Sequence, residues 1–212
     1  MPTRRFTPPN PTDRPVDLFV PQTHPTAHKP RFVRRSNYKE LLIYIDGACM
    51  NNGAAGARAG WAFVFHPSLP SANVSAALEL RGPDGREHPQ TNNRAELRAA
   101  IGALHFRFWP GEGGFRRIVL ATDSEYVVLG ITERIRQWEQ NGWRTRAGSA
   151  VANRDLWEEL LKCVQDLEEQ GAQPVFWLIP RELITAADRM AKEAALRAEQ
   201  SPKFDRIVGS LV

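Results

Sequence analysis

The chain has 212 residues, of which 42% are hydrophobic and 25% are charged, a balance that fits a globular domain large enough to bury one core. The formal net charge is +4, and the two cysteines, Cys49 and Cys163, lie far apart without C-x-x-C or zinc-ligand spacing. This cysteine spacing disfavours a disulfide framework. A transmembrane helix is also disfavoured, because no stretch approaches eighteen consecutive apolar residues. We therefore expect a soluble protein in a reducing compartment.

The first 38 residues differ in composition from the rest of the chain. They hold seven Lys or Arg against two Asp, and eight of the sixteen prolines. Proline breaks helices, and so few consecutive apolar residues cannot bury a core. We predict a disordered basic arm over 1–38, a folded domain over 39–200 and a C-terminal tail over 201–212. A mitochondrial presequence is an alternative for the arm, although its prolines and aspartates oppose an amphipathic helix.

The folded part begins with three short apolar runs. These are "LLIYID" at 41–46, "GWAFVFH" at 60–66 and "VSAALEL" at 74–80, and their spacing indicates an antiparallel meander. A helix is predicted next, because Leu97, Ile101, Leu104 and Phe108 recur at helical spacing and Thr91 is well placed as its N-cap.

The second half alternates strands and helices. "RRIVLATDS" at 116–124 is typical of a short buried strand, and helical spacing returns from Ser124 to Glu139. A further helix opens at Asp155, "PVFWLIP" at 174–180 forms the fifth strand, and "TAADRMAKEAALRAEQ" forms the last helix. The order βββαβααβα predicts a mixed α/β fold.

Two of the predicted strands end in the same way. "IYIDG" and "VLATDS" each pass from a buried run to an acid, Asp46 or Asp123, followed by a small residue. Sites in open α/β sheets lie where strand ends meet, so adjacent strands would place the two carboxylates side by side. Such a pair is costly without a cation between the carboxylates. Taken alone, Asp46-Gly47 is typical of a simple turn.

Two more acids belong to predicted helices. Glu96 is compatible with an ordinary solvated helix position, and Asp188 follows Thr185 with the spacing of a capping box. A shared site is favoured by joint occurrence: four acids stand at element ends, with an Asn-rich loop and the Asn92-Asn93 pair beside them.

Four segments of the chain resemble the active-site blocks of ribonuclease H in both their order and their spacing. They are "YIDGACMNNG", "QTNNRAEL", "ATDSEYV" and "TAADRMAKEAA". The stretch at 131–160, "ITERIRQWEQNGWRTRAGSAVANRDLWEEL", resembles the basic segment called the handle in the eukaryotic type 1 branch. The resemblance covers about residues 41–197. It implies a ribonuclease H-like fold, with a five-stranded mixed sheet of three antiparallel and two parallel strands flanked by helices.

The resemblance also implies the chemistry. The chain would be an endonuclease that hydrolyses the RNA strand of RNA/DNA hybrids by two-metal-ion catalysis. Asp46, Glu96, Asp123 and Asp188 would be both catalytic residues and metal ligands, holding two Mg²⁺ ions about 3.5–4 Å apart. Carboxylate oxygens suit Mg²⁺, and we expect that Mn²⁺ can substitute.

The resemblance assigns two sets of substrate contacts. The RNA strand would be contacted by Cys49, Asn51, Asn52, Gly53, Asn92 and Asn93. The DNA strand would be contacted by Thr91, Tyr126, Arg134, Trp138, Arg144, Arg146 and Asn153, with Thr91 and Asn153 forming a phosphate pocket. Arg136 and Arg154 add positive charge to the handle, and Trp143 and Trp157 are expected to pack the handle onto the body.

Two departures from the family pattern stand out. Pro89 replaces the arginine that the family carries two residues before the threonine of the phosphate pocket, so this pocket is expected to be weaker or rebuilt. The loop "IPRELITAA" replaces a longer Gly-His loop whose histidine assists catalysis and product release. Glu182 would stand near the vacant position, and slow turnover is expected.

Alternatives remain open at this stage. A hybrid-binding module that keeps the fold without cutting, and a cleavage domain derived from a retroelement, both share the resemblance. Retention of four clustered acids favours an active nuclease, since their repulsion costs stability without metal. We further expect a monomer that has no membrane partner and resides in the nucleus or cytoplasm, with the mitochondrion as an alternative.

Overall fold

A seven-stranded mixed sheet forms the centre of the computed structural model, which describes residues 4–22, 31–112, 114–197 and 199–209. Its strands are β1 (Phe19–Gln22), β2 (Arg31–Arg34), β3 (Asn37–Met50), β4 (Arg58–Val64), β5 (Val74–Ala77), β6 (Arg117–Thr122) and β7 (Gln173–Leu178). Antiparallel partners β2 and β4 share one edge of β3, while β6 pairs in parallel with its other edge and β7 pairs in parallel with β6. The predicted mixed α/β sheet is confirmed, and β1 and β2 extend it beyond the five strands expected.

Helices cover both faces of the sheet. They are α1 (Pro15–Leu18), α2 (Asn92–His105), α3 (Trp109–Glu112), α4 (Glu125–Leu129), α5 (Ile135–Gln140), α6 (Arg154–Glu169) and α7 (Thr185–Ala195). A π-helical turn, Gly130–Arg134, joins α4 to α5, so the helix predicted from Ser124 to Glu139 is present as one segment. Thr91 is the N-cap of α2, as predicted, and its Oγ1 accepts a hydrogen bond from Arg94 N. The helix ends at His105, so Phe108, which was predicted to belong to its apolar stripe, lies outside it and is exposed.

The apolar run of β3 is buried on both faces of the sheet. Leu41, Ile43 and Ile45 belong to the core beneath α2 and α6, whereas Leu42 and Tyr44 belong to a second core on the opposite face. Side chains alternate between the faces of a strand, so a strand that is covered on both sides shows continuous rather than alternating hydrophobicity. Among the described residues, no helix combines the length and apolarity that a membrane span requires.

The prediction of a disordered arm is wrong for residues 4–22 and 31–38. Phe6 N donates to Phe176 O at 2.9 Å and Phe176 N donates to Arg4 O at 2.8 Å, so the chain continues the sheet beyond β7. The Phe6 ring lies 6.2 Å from that of Phe19 and 4.6 Å from that of Trp177, and all three side chains are buried. Isolated apolar residues in the arm become buried because the sheet supplies the surface that the arm itself lacks.

The described part of the C-terminal tail also contacts the body. Leu80 N donates to Ser201 O, and Gly209 N donates to Phe106 O at 2.9 Å. The guanidinium carbon of Arg98, itself buried, lies 4.5 Å from the centre of the Phe204 ring. The tail therefore packs beside α2 on the face opposite the arm's aromatic cluster.

Candidate active site

Asp46 does not end its strand, contrary to the sequence prediction. Parallel pairing of β3 with β6 stops at Tyr44 and Ala121, but antiparallel pairing with β4 continues through Met50. Asp46 therefore lies just beyond the end of the parallel ladder, on a strand that one neighbour still holds rigidly. Its side chain is buried, with 5% of the residue exposed.

Gly47 allows α2 to approach the strand closely. A Cβ atom at this position would lie 2.2 Å from Glu96 N and 2.3 Å from Ala95 C, both of them backbone atoms. Gly47 pairs with Trp61 within the sheet, so the glycine serves close packing and not a turn. This contact brings Glu96 on α2 next to Asp46.

We expect Gly47→Ala to lower both stability and cleavage activity. The added methyl group must push the backbone of α2 away, and overpacking of this kind typically costs about 1–3 kcal/mol. Urea denaturation in the presence of EDTA measures that loss without a contribution from metal binding. Wild-type stability together with wild-type cleavage would show that the helix does not rely on this close contact.

Asp123 and Ser124 follow β6 and face Glu96. Ser124 is the N-cap of α4, where its Oγ accepts a hydrogen bond from Val127 N at 3.2 Å. The same hydroxyl donates to Glu96 Oε2, while Asn92 Nδ2 donates to Glu96 Oε1 at 2.7 Å. Both oxygens of this carboxylate are thus oriented by neighbouring side chains.

Asp188, on α7, is paired with two cations. Arg181 Nη2 lies 3.0 Å from Asp188 Oδ1, and Lys192 Nζ lies 2.7 Å from Asp188 Oδ2. Arg181 also extends toward Asp123, with 3.9 Å between Nη1 and Oδ2. The N-cap of α7 is Ile184, without a side-chain cap, so the capping box considered for Thr185 and Asp188 is not formed.

These four acids line one cleft of about 180 Å³ at the carboxyl end of the parallel strands. Burial, then the Asp123 charge, raises the pKa of Asp46 to about 8. Burial also raises the pKa of Glu96 to about 7, against the hydrogen bond from Ser124, and shifts the pKa of Asp123 upward. Negative charge in the cleft is therefore poorly compensated by the protein itself.

The donor set fits divalent metal ions. Four carboxylates face two cations, Arg181 and Lys192, among the residues that line the cleft, so the ionised site retains excess negative charge. Hard cations such as Mg²⁺ take oxygen ligands of this type, and a bound cation would favour the ionised form of each acid.

The residues predicted for the RNA strand lie on one side of the cleft. Asn51 and Gly53, in the loop between β3 and β4, have positive φ angles of 54° and 81°. Asn52 Oδ1 accepts from Asn92 N at 3.3 Å, so this loop contacts the start of α2. Asn93 follows on α2, and Cys49 Sγ lies 3.4 Å from Gln90 O. The structure brings this set together, and its RNA contacts stay a prediction.

The residues predicted for the DNA strand divide into two groups. Tyr126 OH accepts from Asn153 Nδ2 at 3.0 Å and from Trp157 Nε1 at 3.1 Å, which ties the start of α4 to α6. Trp138 packs on Trp157 with 5.3 Å between ring centres, and Trp157 is fully buried, as predicted for a residue joining the handle to the body. The arginines of the handle are exposed to solvent: Arg134, Arg136, Arg144, Arg146 and Arg154.

The predicted phosphate pocket has a different set of contacts from the one expected. Arg94 was not among the residues predicted from the sequence. Its Nη1 donates a hydrogen bond to Asn153 Oδ1 at 3.4 Å. Its guanidinium also donates to both oxygens of Asp155, at 2.8 and 2.7 Å. A buried arginine therefore stands beside Thr91 and Asn153, but its charge is already paired.

Sequence reasoning missed three residues of the cleft: Ser124, Arg181 and Lys192. Lys192 could have been found from its i+4 spacing to Asp188 on a helix, and Ser124 from its position before α4. Arg181 lies in a 3₁₀ turn, Arg181–Leu183, and has no comparable sequence signal. It is Arg181, and not Glu182 as expected, that faces the acids in place of the missing histidine loop.

Comparisons with known proteins agree with this architecture. Residues 38–171 match the family described as RNase H, a segment that holds Asp46, Glu96 and Asp123 but ends before Asp188. The chain is 37% identical over 175 residues to Ribonuclease H of Treponema pallidum and spans 94% of that protein. It is 34% identical over 166 residues to Ribonuclease H1 of Mus musculus, of which it spans about half, 52%.

Solved structures show the same fold. The crystal structure of LC9-RNase H1, described as a type 1 RNase H with the type 2 active-site motif, matches with a TM-score of 0.52 and 28% identity over 79% of this chain and 77% of that one. The RNase H domain of PFV matches with a TM-score of 0.52 at 18% identity over 73% of this chain and 93% of that one, which supports the fold alone. A mixed sheet with a cleft of four acids, two from strands and two from helices, at the carboxyl end of its parallel strands thus defines a domain of the ribonuclease H type. The chain belongs to the ribonuclease H family.

Proposed function

We propose that this protein is an endonuclease that hydrolyses the RNA strand of RNA/DNA hybrids. The observation that carries the proposal is the cleft in which β3, α2, β6 and α7 each contribute one carboxylate. Membership of a family whose relatives are named Ribonuclease H supports the reaction class.

Two Mg²⁺ ions are the proposed cofactors, with Mn²⁺ as a substitute. Asp46, Glu96, Asp123 and Asp188 would hold them, and bound metal supplies an activated water and stabilises the leaving oxygen. The protein's own contribution is orientation: Ser124 and Asn92 fix the two oxygens of Glu96 before substrate arrives. Preorganised ligands avoid the reorganisation that a mobile site would require.

Recognition of the hybrid would use the two sides of the cleft. The Asn51–Gly53 loop and the start of α2 present amides and short polar groups, which suit the 2′-hydroxyls of the RNA strand in a minor groove. The exposed arginines of the handle suit the phosphates of the DNA strand. This handle supports a type 1 enzyme related to the eukaryotic branch, although the identity to the bacterial relative from Treponema pallidum, 37%, is higher than that to the mouse protein, 34%.

A cleavage assay on labelled substrates tests the proposal. In Mg²⁺ we expect endonucleolytic cutting of the RNA strand of a hybrid, and no cutting of duplex DNA or single-stranded RNA. Excess EDTA should abolish cutting, and added Mn²⁺ should restore it. Cutting that persists in EDTA would refute the metal-dependent reaction, and hybrid binding without cutting would identify the protein as a non-catalytic binding module.

We expect Arg181→Gln to lower the Mg²⁺ concentration that gives half-maximal cleavage. Arg181 pairs with Asp188 and approaches Asp123, so removal of its charge leaves the cleft more negative. Exposed ion pairs contribute about 0.2–1 kcal/mol, so the shift should be between about 1.4-fold and fivefold. Arg189→Gln is the matched control, since it removes the same charge from an exposed α7 side chain. Equal shifts in both variants would show a general charge effect instead of competition at the acids.

A further inference from the structure

A thiol, an imidazole and a carboxylate meet between α2 and α6, outside the carboxylate cleft. His105, the last residue of α2, places Nε2 3.0 Å from Cys163 Sγ and 3.4 Å from Glu159 Oε1. Glu159 and Cys163 are four residues apart on α6, so they share one face of that helix. One ligand atom from each residue lies within 4.8 Å of the other two.

These separations suit a tetrahedral metal ion. Zinc bonds of about 2.0–2.3 Å to nitrogen, oxygen and sulfur place neighbouring ligand atoms about 3.4–3.6 Å apart at the tetrahedral angle. The observed nitrogen to oxygen distance already has this value, and the nitrogen to sulfur distance would widen by about half an ångström. Both distances measured from His105 Nε2 are therefore close to those of a tetrahedral site.

The cluster is buried but connected to a cavity. Only 3% of Cys163 is exposed, and the side chains of His105 and Glu159 are 10% and 22% exposed. His105 and Cys163 also line a cavity of about 240 Å³, which Asp166 and Arg206 share. Among the described residues, the buried His105 Nδ1 has no hydrogen-bond partner, so the imidazole does not belong to a saturated polar network.

A second mixed cluster, formed by Asp84, His88 and Asp155, is less suited to binding a metal ion. Both oxygens of Asp155 already accept hydrogen bonds from Arg94, at 2.8 and 2.7 Å. A metal ion there would have to displace a buried guanidinium. In the first cluster, three cations, Arg206, Arg98 and Lys162, act on the imidazole, and Asp166 on α6 acts with the opposite sign.

We propose that His105, Glu159 and Cys163 form a binding site for a thiophilic divalent metal ion such as Zn²⁺, with the fourth coordination position open to water from the adjacent cavity. Binding releases the Cys163 proton to solvent and forms a metal–sulfur bond, with no change in oxidation state. Thiolate and carboxylate together carry two negative charges, which match the charge of the ion. Mg²⁺ prefers oxygen ligands and is not expected to compete here.

The ion would join the end of α2 to the middle of α6. Glu96 lies nine residues before His105 on α2, about 14 Å along the helix axis, so the ion would not take part in the reaction. Its expected effect is stabilisation of the helix pair, because a ligand that binds only the folded state raises the melting temperature.

Cobalt(II) provides the test, as a spectroscopic substitute for zinc. We expect the reduced full chain, stripped of transition metals and kept in excess Mg²⁺, to develop a near-ultraviolet thiolate-to-cobalt band. This band should saturate at one equivalent of Co²⁺ and disappear on addition of Zn²⁺. Cys163→Ser should lose this band. Cys49→Ser is the matched control, because it removes the other thiol, and it should keep the band.

Glu159→Gln provides a second variant. Glu159 is more exposed than Cys163, so this substitution is expected to disturb folding less. It should weaken Co²⁺ binding about tenfold or more, judged against the effect of altering groups around known metal sites. With Mg²⁺ in excess to saturate the carboxylate cleft, Zn²⁺ should raise the melting temperature of wild type and Cys49→Ser, but not that of Cys163→Ser. Absence of the band in wild type, its persistence in Cys163→Ser, or unchanged affinity in Glu159→Gln would each overturn the proposal.

Discussion

Asp123→Asn is expected to reduce cleavage of the RNA strand by at least about 10²–10³-fold, the range typical when a preorganised electrostatic group is removed from an active site. The amide has nearly the same shape as the carboxylate, so the change removes charge and metal affinity without creating a cavity. Single-turnover cleavage of a labelled hybrid at saturating enzyme measures the chemical step apart from substrate affinity.

The same variant should not be less stable than wild type when metal is absent. Burial raises the pKa of the Asp123 carboxyl, so its ionised form is disfavoured in the folded cleft, and a neutral amide avoids the cost of burying that charge. Mg²⁺ should raise the melting temperature of wild type more than that of the variant. Glu193→Gln is the matched control, because Glu193 is exposed on α7. Cleavage by Asp123→Asn at the rate of this control would refute the assignment of the cleft.

Phe19→Ala should reduce the free energy of unfolding by about 3–5 kcal/mol, the usual cost of truncating a buried aromatic side chain. Phe19 is 1% exposed and its ring lies within 6.3 Å of both Phe6 and Trp177, so its removal leaves a cavity between the arm and the sheet. Equilibrium urea denaturation measures the change.

Val16→Ala, in α1 of the same arm, is the matched control for Phe19. Val16 is 52% exposed, and a substitution at such a position usually changes stability by less than about 0.5 kcal/mol. Equal stability of the two variants would show that the arm does not dock in solution. If Phe19→Ala is destabilised as expected, deletion of the arm would be a poor test of nucleic-acid binding, because it would remove two strands together with the positive charge.

The sequence alone was sufficient for the elements with strong periodicity or long apolar runs. Leu97, Ile101 and Leu104 marked α2, Thr91 marked its first turn, and the runs at 41–46 and 174–180 marked two strands that are buried on both faces. Such patterns are local, since a helix or strand must present its apolar side chains to a core wherever that core lies. The grouping of Asp46 with Asp123 was also predictable, because it required only that two parallel strands end side by side.

The arm could not be predicted in this way. Phe6, Phe19 and Val33 are separated by prolines and charges, so no window of the arm shows enough hydrophobicity for a core. The burial of Phe6 and Phe19 depends on partners more than a hundred residues away, such as Phe176 and Trp177. Contacts of this kind are determined by the surface that the completed sheet presents.

What the sequence determined by itself was therefore the type of each major element from β3 onward and the choice of the four acids, because these follow from residue chemistry and spacing. Only the tertiary structure decided that Gly47 serves helix approach instead of a turn, and that Arg181 faces Asp188 and Asp123. It also decided that His105 meets Cys163 across two helices. Each of these contacts joins residues that are distant in the chain or lie in irregular segments, where backbone position in space, and not local pattern, determines which side chains come together.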